Sequence, residues 1–330
     1  MEQKVRAAVA GTGAYLPQAR LTNAALAARL DATDEWIVER TGIRERRVAA
    51  REESTGDMAA AAARAALQDA GITADEVDLI MVATCTPDMV MPSTACLVQH
   101  ALGARKAAAF DVNAACSGFV YALHVARGLV EAGMHRTVLC IGADKMSGLM
   151  DARDKGTSIL FGDGAGAVVV RRDESGTRGV VASHIHSDGD TWDLITVPGG
   201  GSRAPLTAAN VEEGLQFMQM KGREVFRIAV RCLEGAVRES LEQAGLDEKA
   251  VALCIPHQSN ARIVEAVADR LQWPREKVFT NLEWVGNTSA ASIPVALHQA
   301  RTERRVKAGD VVILAGMGAG MTWGGAVVRL

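Results

Sequence analysis

The sequence predicts a layered α/β protein made of two related halves, because one order of segments occurs twice along its 330 residues. Residues 67–82 (LQDAGITADEVDLIMV) align without gaps on 241–256 (LEQAGLDEKAVALCIP), an offset of 174 (241 − 67). The same offset lays YALHVAR, containing His124, over VALHQAR, containing His298, and TVLCIG (137–142) over VVILAG (311–316). Further on, GAVVVRR (166–172) matches GAVVRL at 325–330, now 159 residues away (325 − 166), so a loop has been lost and the repeat runs to residue 330.

Each copy reads strand, helix, strand, loop, second strand, long helix, and two more strands. The first helix covers 58–70 in one copy and 226–244 in the other. Its apolar residues recur at helical spacing, whereas the strands are continuous apolar runs, as expected where both faces of a sheet are covered. The polar, glycine-containing stretch 171–179 separates the copies, giving halves of 1–173 and 174–330. A ligand site is expected where the halves meet.

Composition supports such layers and excludes other classes. Hydrophobic residues make up 48% and aromatics only 4%, so the core is built from small and aliphatic side chains, with 32 glycines permitting close backbone approach. A net charge of −3 provides no global field for gripping nucleic acid. No apolar run approaches the ~20 residues that span a bilayer. The first residues carry Glu2 and only a short apolar run at 7–10, which is no signal peptide, so a cytoplasmic protein is expected. The six cysteines form no C-x-x-C pair, and neither disulfides nor a zinc site is expected.

In the first copy, FDVNAACSGFVYALHVARGLVEAG joins a short strand to a tight Ala-Ala-Cys-Ser-Gly turn and a helix with Phe119, Leu123 and Leu129 on its apolar face. Cys116 then stands at a helix N-terminus, where unpaired N–H groups and the positive end of the dipole favour a thiolate. In the second copy, VALCIPHQSNARIVEA ends a strand at Pro256 and sets His257 where polarity changes, equivalent to Ala83 in the repeat. His124 and His298 hold matched mid-helix positions and read as packing or surface residues. Asn287, in WVGNTSAASIPVALHQA, lies three residues before Ala290, the repeat equivalent of Cys116, and so opens the mirrored helix. A plain N-cap is the simpler reading of an asparagine before Thr-Ser. The loop GMGAGMTWG (316–324) offers backbone N–H groups for an oxyanion, or a tight sheet turn. A thiolate, an imidazole and a carboxamide lack the acidic partner of a cysteine protease. They supply two donors toward one oxygen, which suits carbanion chemistry on a thioester.

Read in order, DEWIVERTGI (34–43), ACSG around Cys116, FGDGAG (161–166), PHQSN (256–260), GNTSAAS (286–292) and TWGGAVVRL span nearly the whole chain and resemble ketoacyl-ACP synthase III, a thiolase-type condensing enzyme. The resemblance implies a thiolase-like fold of five αβαβα layers, a homodimer, and no cofactor beyond the coenzyme A thioester that is itself the substrate. It implies that Cys116 takes an acyl group from acyl-CoA, and that malonyl-ACP, the acyl carrier protein thioester, then loses carbon dioxide to give an attacking enolate. His257 and Asn287 are implied to hold the enolate oxygen, and Cys116 with Gly318, Ala319 and Gly320 the acyl oxyanion. Asn287 in place of a second histidine points to the initiating type, a feature shared with chalcone-synthase-like enzymes. Family positions for coenzyme A fall on Trp36, Arg40, Lys155, Phe226, Asn260 and Arg262, and the acyl-pocket wall contributed by a dimer partner falls on Met91.

Three positions depart from the family pattern: Lys155 replaces an arginine that stacks, Ala319 interrupts a triple glycine, and Met91 replaces a common phenylalanine. The primer carried by Cys116 need not be acetyl. Arg223, Arg227 and Arg231 recur every four residues as a basic stripe, to which Arg262 and Arg270 add, and an acidic carrier protein is its expected partner through Arg227, Arg262 and Arg270. Alternatives are a related enzyme of secondary metabolism with a non-acetyl primer, a nucleotide-binding oxidoreductase suggested by GTGAYLP (11–17), and an inactive scaffold. The second has Leu16 where its third glycine belongs, and the third should lack Cys116.

Overall fold

Two sheets, each buried on both faces, account for the continuous apolar runs. In the computed structural model, which describes residues 6–330 and so leaves Glu2 outside, the first half forms a sheet in the order β1-β5-β4-β2-β3. Its strands are β1 (Arg6–Tyr15), β2 (Leu79–Ala83), β3 (Ala108–Val112), β4 (Thr137–Lys145) and β5 (Asp163–Asp173). The second half forms a sheet in the order β7-β8-β9-β6, from β6 (Gly179–Ser187), β7 (Val251–Pro256), β8 (Val311–Gly318) and β9 (Thr322–Arg329). In the first sheet β5 runs antiparallel to both β1 and β4, while β4, β2 and β3 are parallel. The second repeats this: β9 is antiparallel to β6 and β8, and β8 is parallel to β7. The counterpart of β3 shrinks to one parallel bridge between Cys254 and Val278. The repeat is thus a repeat of topology.

Helix α1 (Asp34–Thr41) belongs to the N-terminal part and abuts α6 (Ala261–Leu271). Helices α2 (Thr55–Ala70) and α3 (Thr94–Leu102) cover the outer face of the first sheet, and α5 (Gly222–Ala244) with α6 the outer face of the second. Between the sheets lie α4 (Gly118–Glu131) and α7 (Ser292–Thr302), completing five αβαβα layers. Strand β2 shows the division of faces: Leu79, Met81 and Ala83 meet the central helices, while Ile80 and Val82 meet α2 and α3. The first outer helix of each half, α2 and α5, starts about a turn before its apolar stripe. Helix α2 begins at Thr55 rather than 58 because Ser54 and Asp57 close a capping box there, a signal of polarity rather than of periodicity.

Glycine sets the layer spacing. A Cβ on Gly13 of β1 would fall 2.3 Å from the Ala62 carbonyl oxygen of α2, so GTG is a helix-packing seat and not a phosphate loop. A Cβ on Gly142 of β4 would sit 2.1 Å from the Ala290 carbonyl oxygen, so this strand lies directly on the turn before α7. The matched histidines prove to tie the halves together. His124 of α4 places Nδ1 3.0 Å from Ser183 Oγ on β6, and His298 of α7 places Nδ1 3.0 Å from Thr12 Oγ1 on β1. Each central helix therefore bonds to the first strand of the other half.

Candidate active site

Two short 3₁₀ turns, at Ala115–Ser117 and Ser289–Ala291, lead into α4 and α7 at equivalent repeat positions. Their first residues, Ala115 and Ser289, have φ of 45° and 53°. A non-glycine residue with positive φ is strained, and matched strain at two equivalent turns marks where the backbone is held for a purpose. The first turn carries Cys116. Strand β8 packs against it so closely that a Cβ on Gly318 would lie 2.7 Å from the Cys116 nitrogen. Ser117 Oγ is 2.8 Å from Thr322 Oγ1, which fastens the same turn to the far side of the glycine loop.

A cavity of about 570 Å³ opens between the halves and is lined by Cys116, His257, Asn287 and the loop residues Gly318, Ala319 and Gly320. His257 is only 1% exposed, and its N–H donates to the Ala315 carbonyl at 2.8 Å. Its Nδ1 is 2.7 Å from Ser292 Oγ, which also accepts the Gln258 N–H at 3.4 Å. If the Ser292 hydroxyl donates to Nδ1, the ring proton sits on Nε2, the tautomer that offers a donor to the cavity. Burial pulls the His257 pKa down to about 3, so the imidazole is neutral at neutral pH. Asn287 Oδ1 accepts the Ser289 N–H at 2.8 Å, which leaves its NH₂ as the free end.

The nucleophile corrects one expectation. Although Cys116 precedes α4 and faces the cavity, burial pushes its thiol up to about 12; the nearby Ser289 hydroxyl acts in the other direction, and Asp144 raises it further. Ser117 is interposed between Cys116 and the first residue of α4, and desolvation is the largest influence on the thiol. Burial thus favours the thiol at rest, against the thiolate that the helix N-terminus favours.

The outer residues fall into two groups. Phe226 and Asn260 line the cavity. Asn260 caps α6 by accepting the Arg262 N–H at 2.9 Å, and its NH₂ donates to the Arg40 carbonyl at 3.0 Å, so both ends of its carboxamide are engaged. Beyond it, the Arg40 guanidinium lies 4.1 Å from the Trp36 ring centre and Lys155 Nζ 5.6 Å from it, while Arg262 is 5.9 Å from the Phe226 ring. Met91 is 84% exposed and lines no part of this chain's cavity. Arg223, Arg227 and Arg231 are exposed on α5 with no carboxylate partner among the described residues. Arg270 instead pairs with Glu234 at 3.0 Å, a carboxylate it shares with Arg238, also at 3.0 Å.

Residues 110–189 match the model of 3-oxoacyl-[acyl-carrier-protein] synthase III, and residues 241–330 match that of its C-terminal part. Beta-ketoacyl-[acyl-carrier-protein] synthase III of Caldanaerobacter subterraneus is 46% identical over 329 residues, covering 100% of this chain and 99% of the relative. The chain belongs to the 3-oxoacyl-[acyl-carrier-protein] synthase III family. The synthase III of Rhodospirillum centenum is 49% identical over 98% of this chain and 99% of its own. The crystal structure of the Aquifex aeolicus synthase III superposes with a TM-score of 0.90 at 47% identity, covering 98% of this chain and 100% of that one. The two synthase III matches enclose Cys116 in the first and His257, Asn287 and the 318–320 loop in the second.

Four polar residues around this synthase III centre escaped the sequence reading: Cys85, Asp144, Ser289 and Ser292. Asp144 is fully buried, and its Oδ1 accepts from Thr84 Oγ1 at 2.9 Å and the Cys85 N–H at 2.8 Å, while Oδ2 accepts the Ala290 N–H at 3.0 Å. One carboxylate thus fixes the end of β2 and the Asn287 turn of the opposite half. A lone aspartate in the apolar run TVLCIGADK was the available signal. Cys85 also lines the cavity, with Sγ 3.8 Å from Ser289 Oγ, and burial keeps its thiol well above the usual range. Its repeat counterpart is Ser259, which lines the cavity too.

Proposed function

We propose that the chain condenses an acyl-CoA primer with malonyl-ACP to give 3-oxoacyl-ACP, carbon dioxide and free coenzyme A, the initiating step of fatty acid synthesis, through an acyl-Cys116 intermediate. The observation that carries this is the pair of donors beside the thiol: His257 and Asn287 each have one polar end tied to protein and the other turned to one cavity. In the first step Cys116 sulfur attacks the thioester carbonyl, the C–S bond to coenzyme A breaks, and the thiol proton ends on the departing sulfur. The N–H groups of Cys116 and the 318–320 loop hold the oxyanion. In the second step the malonyl C–C bond breaks, carbon dioxide leaves, and the electron pair forms an enolate whose oxygen receives the His257 Nε2–H and Asn287 Nδ2–H. The enolate carbon then attacks the acyl carbonyl, and the Cys116 sulfur leaves and takes up a proton. Every group this scheme uses is a side chain or backbone N–H, so it calls for no resident cofactor.

Intact-mass measurement after incubation with a panel of acyl-CoAs tests the scheme. A single acyl adduct should form on the wild type and be absent from Cys116→Ala, and its mass names the preferred primer. An adduct persisting in the variant overturns the assignment and points to Cys85, the other thiol in the cavity. The relatives at 46–49% identity favour the fatty-acid role over secondary metabolism; the priming ketosynthase of the R1128 polyketide pathway is 35% identical.

A homodimer is part of the same reading. Strand β3 forms an edge of its sheet with Phe110 41% exposed, and Val90 and Met91 are 97% and 84% exposed. An edge strand beside large exposed apolar side chains is a surface that a second copy can cover, with Met91 entering the partner's site. For carrier-protein docking, unpaired Arg227 should outweigh ion-paired Arg270. Arg227→Glu should raise KM for malonyl-ACP several-fold with little change in kcat, and Arg270→Glu should do less; an unchanged KM for the first variant rules the docking face out. No described helix is long and apolar enough to cross a membrane. Six cysteines without a disulfide suit a reducing, cytoplasmic setting.

A further inference from the structure

We propose that His184, His186 and Glu239 form a binding site for a divalent cation of the zinc class on the outer side of the second half, apart from the condensing cavity. Strand β6 alternates its side chains, so residues two apart share a face, and both imidazoles point toward α5, which supplies Glu239. His186 Nε2 lies 2.9 Å from Glu239 Oε2 and His184 Nε2 3.5 Å from the same oxygen, and one donor atom from each residue lies within 4.8 Å of the others. Four ligands at about 2.1 Å in a tetrahedron stand roughly 3.4 Å apart, so small side-chain movements would close three of them on one ion, with water as the fourth.

A second observation points to a ligand. His184 is 95% buried, at 5% exposure, and neither of its ring nitrogens has a hydrogen-bond partner among the described residues. A buried imidazole without a partner is costly, and the carboxylate at 3.5 Å is too far to relieve it. An ion bound at Nε2 supplies the missing interaction at that nitrogen and leaves the ring proton on Nδ1, which still has no protein partner among the described residues. The supports around the cluster are those of a held site. Gln243 Nε2 donates to Glu239 Oε1 at 3.0 Å, the Tyr121 hydroxyl donates to the His186 carbonyl at 2.6 Å, and the Trp323 ring stands 5.4 Å from that of His186. His186 is exposed, which gives an ion a way in. A simple His186–Glu239 ion pair explains two of the residues and leaves His184 unaccounted for. Cysteine spacing could not reveal the cluster, because its ligands are an H-x-H pair and a glutamate 53 residues farther along.

Metal-stripped protein titrated with cobalt(II) alone tests this, since tetrahedral cobalt absorbs in the visible and zinc should abolish the band. The titration is run on the wild type and on Cys116→Ala, so that the active-site thiol cannot be the ligand. Both should bind one equivalent, and zinc should raise the melting temperature of both. His186→Ala and Glu239→Gln change exposed or half-buried groups, and each should weaken binding at least about tenfold and remove the melting shift. Absence of a bound equivalent in the wild type overturns the proposal, as does unchanged affinity in these two variants or a cobalt spectrum that vanishes with Cys116.

Discussion

Alanine at Cys116 should abolish condensation while leaving decarboxylation of a malonyl thioester measurable, whereas alanine at His257 or Asn287 should slow decarboxylation itself by about 10²–10³. The split follows from geometry. The two donors are positioned by the second half, through Ser292 for the imidazole and the Ser289 N–H for the carboxamide, and neither contact involves Cys116. Each donor meets an oxygen whose charge grows only as carbon dioxide leaves, so its loss raises the barrier by roughly 3–4 kcal/mol with little effect on acylation. Carbon dioxide release and acyl-adduct formation, followed separately on the three variants, check this. Equal loss of both steps in His257→Ala would show instead that the imidazole serves the thiol.

Acid should destabilise the fold through His257. Its pKa falls from 6.5 in the unfolded chain to about 3 when folded. Between those values the unfolded state binds a proton that the folded state refuses, so stability rises with pH through this window and is lost as pH drops from 6.5 toward 3. At 1.36 kcal/mol per unit, about 3 kcal/mol should be gone by pH 4, a large part of the stability of an ordinary domain. Burial also lowers the pKa values of His124, His184 and His298, which act in the same direction, while buried Asp163, whose pKa is raised, acts against them. Denaturant unfolding at pH 7 and pH 4 measures the loss. His257→Asn should show a shallower dependence, whatever its stability at pH 7, and an unaltered slope would place the titration elsewhere.

The sequence revealed most where the physics is local or repeated. Continuous apolar strands and the 174-residue offset predicted two equivalent sheets, and the same offset paired Cys116 with the turn that follows Asn287. Less visible was whatever depends on surroundings. The state of the thiol was only half legible, because a helix N-terminus can be read along the chain but the desolvation that opposes it cannot. Arg270 belongs to the basic face by spacing, yet it shares Glu234 with Arg238, on a helix that contacts its own only in three dimensions. Met91 lies outside its own chain's cavity and is exposed, a position that the residues around it in the sequence do not announce. Asp144 and Ser292 act by holding other groups, and such supports leave no motif.

The exchanged contacts between halves, His124 to Ser183 and His298 to Thr12, have the form of an isologous interface, in which each partner offers the other the same patch. Although its two copies share one chain, the molecule then has the geometry of a symmetric dimer. In such a dimer every copy would carry the same residue at the turn, two nucleophiles or none. With both copies on one chain Cys116 and Ala290 differ, and with them the two roles that a condensation needs on opposite sides of a single substrate.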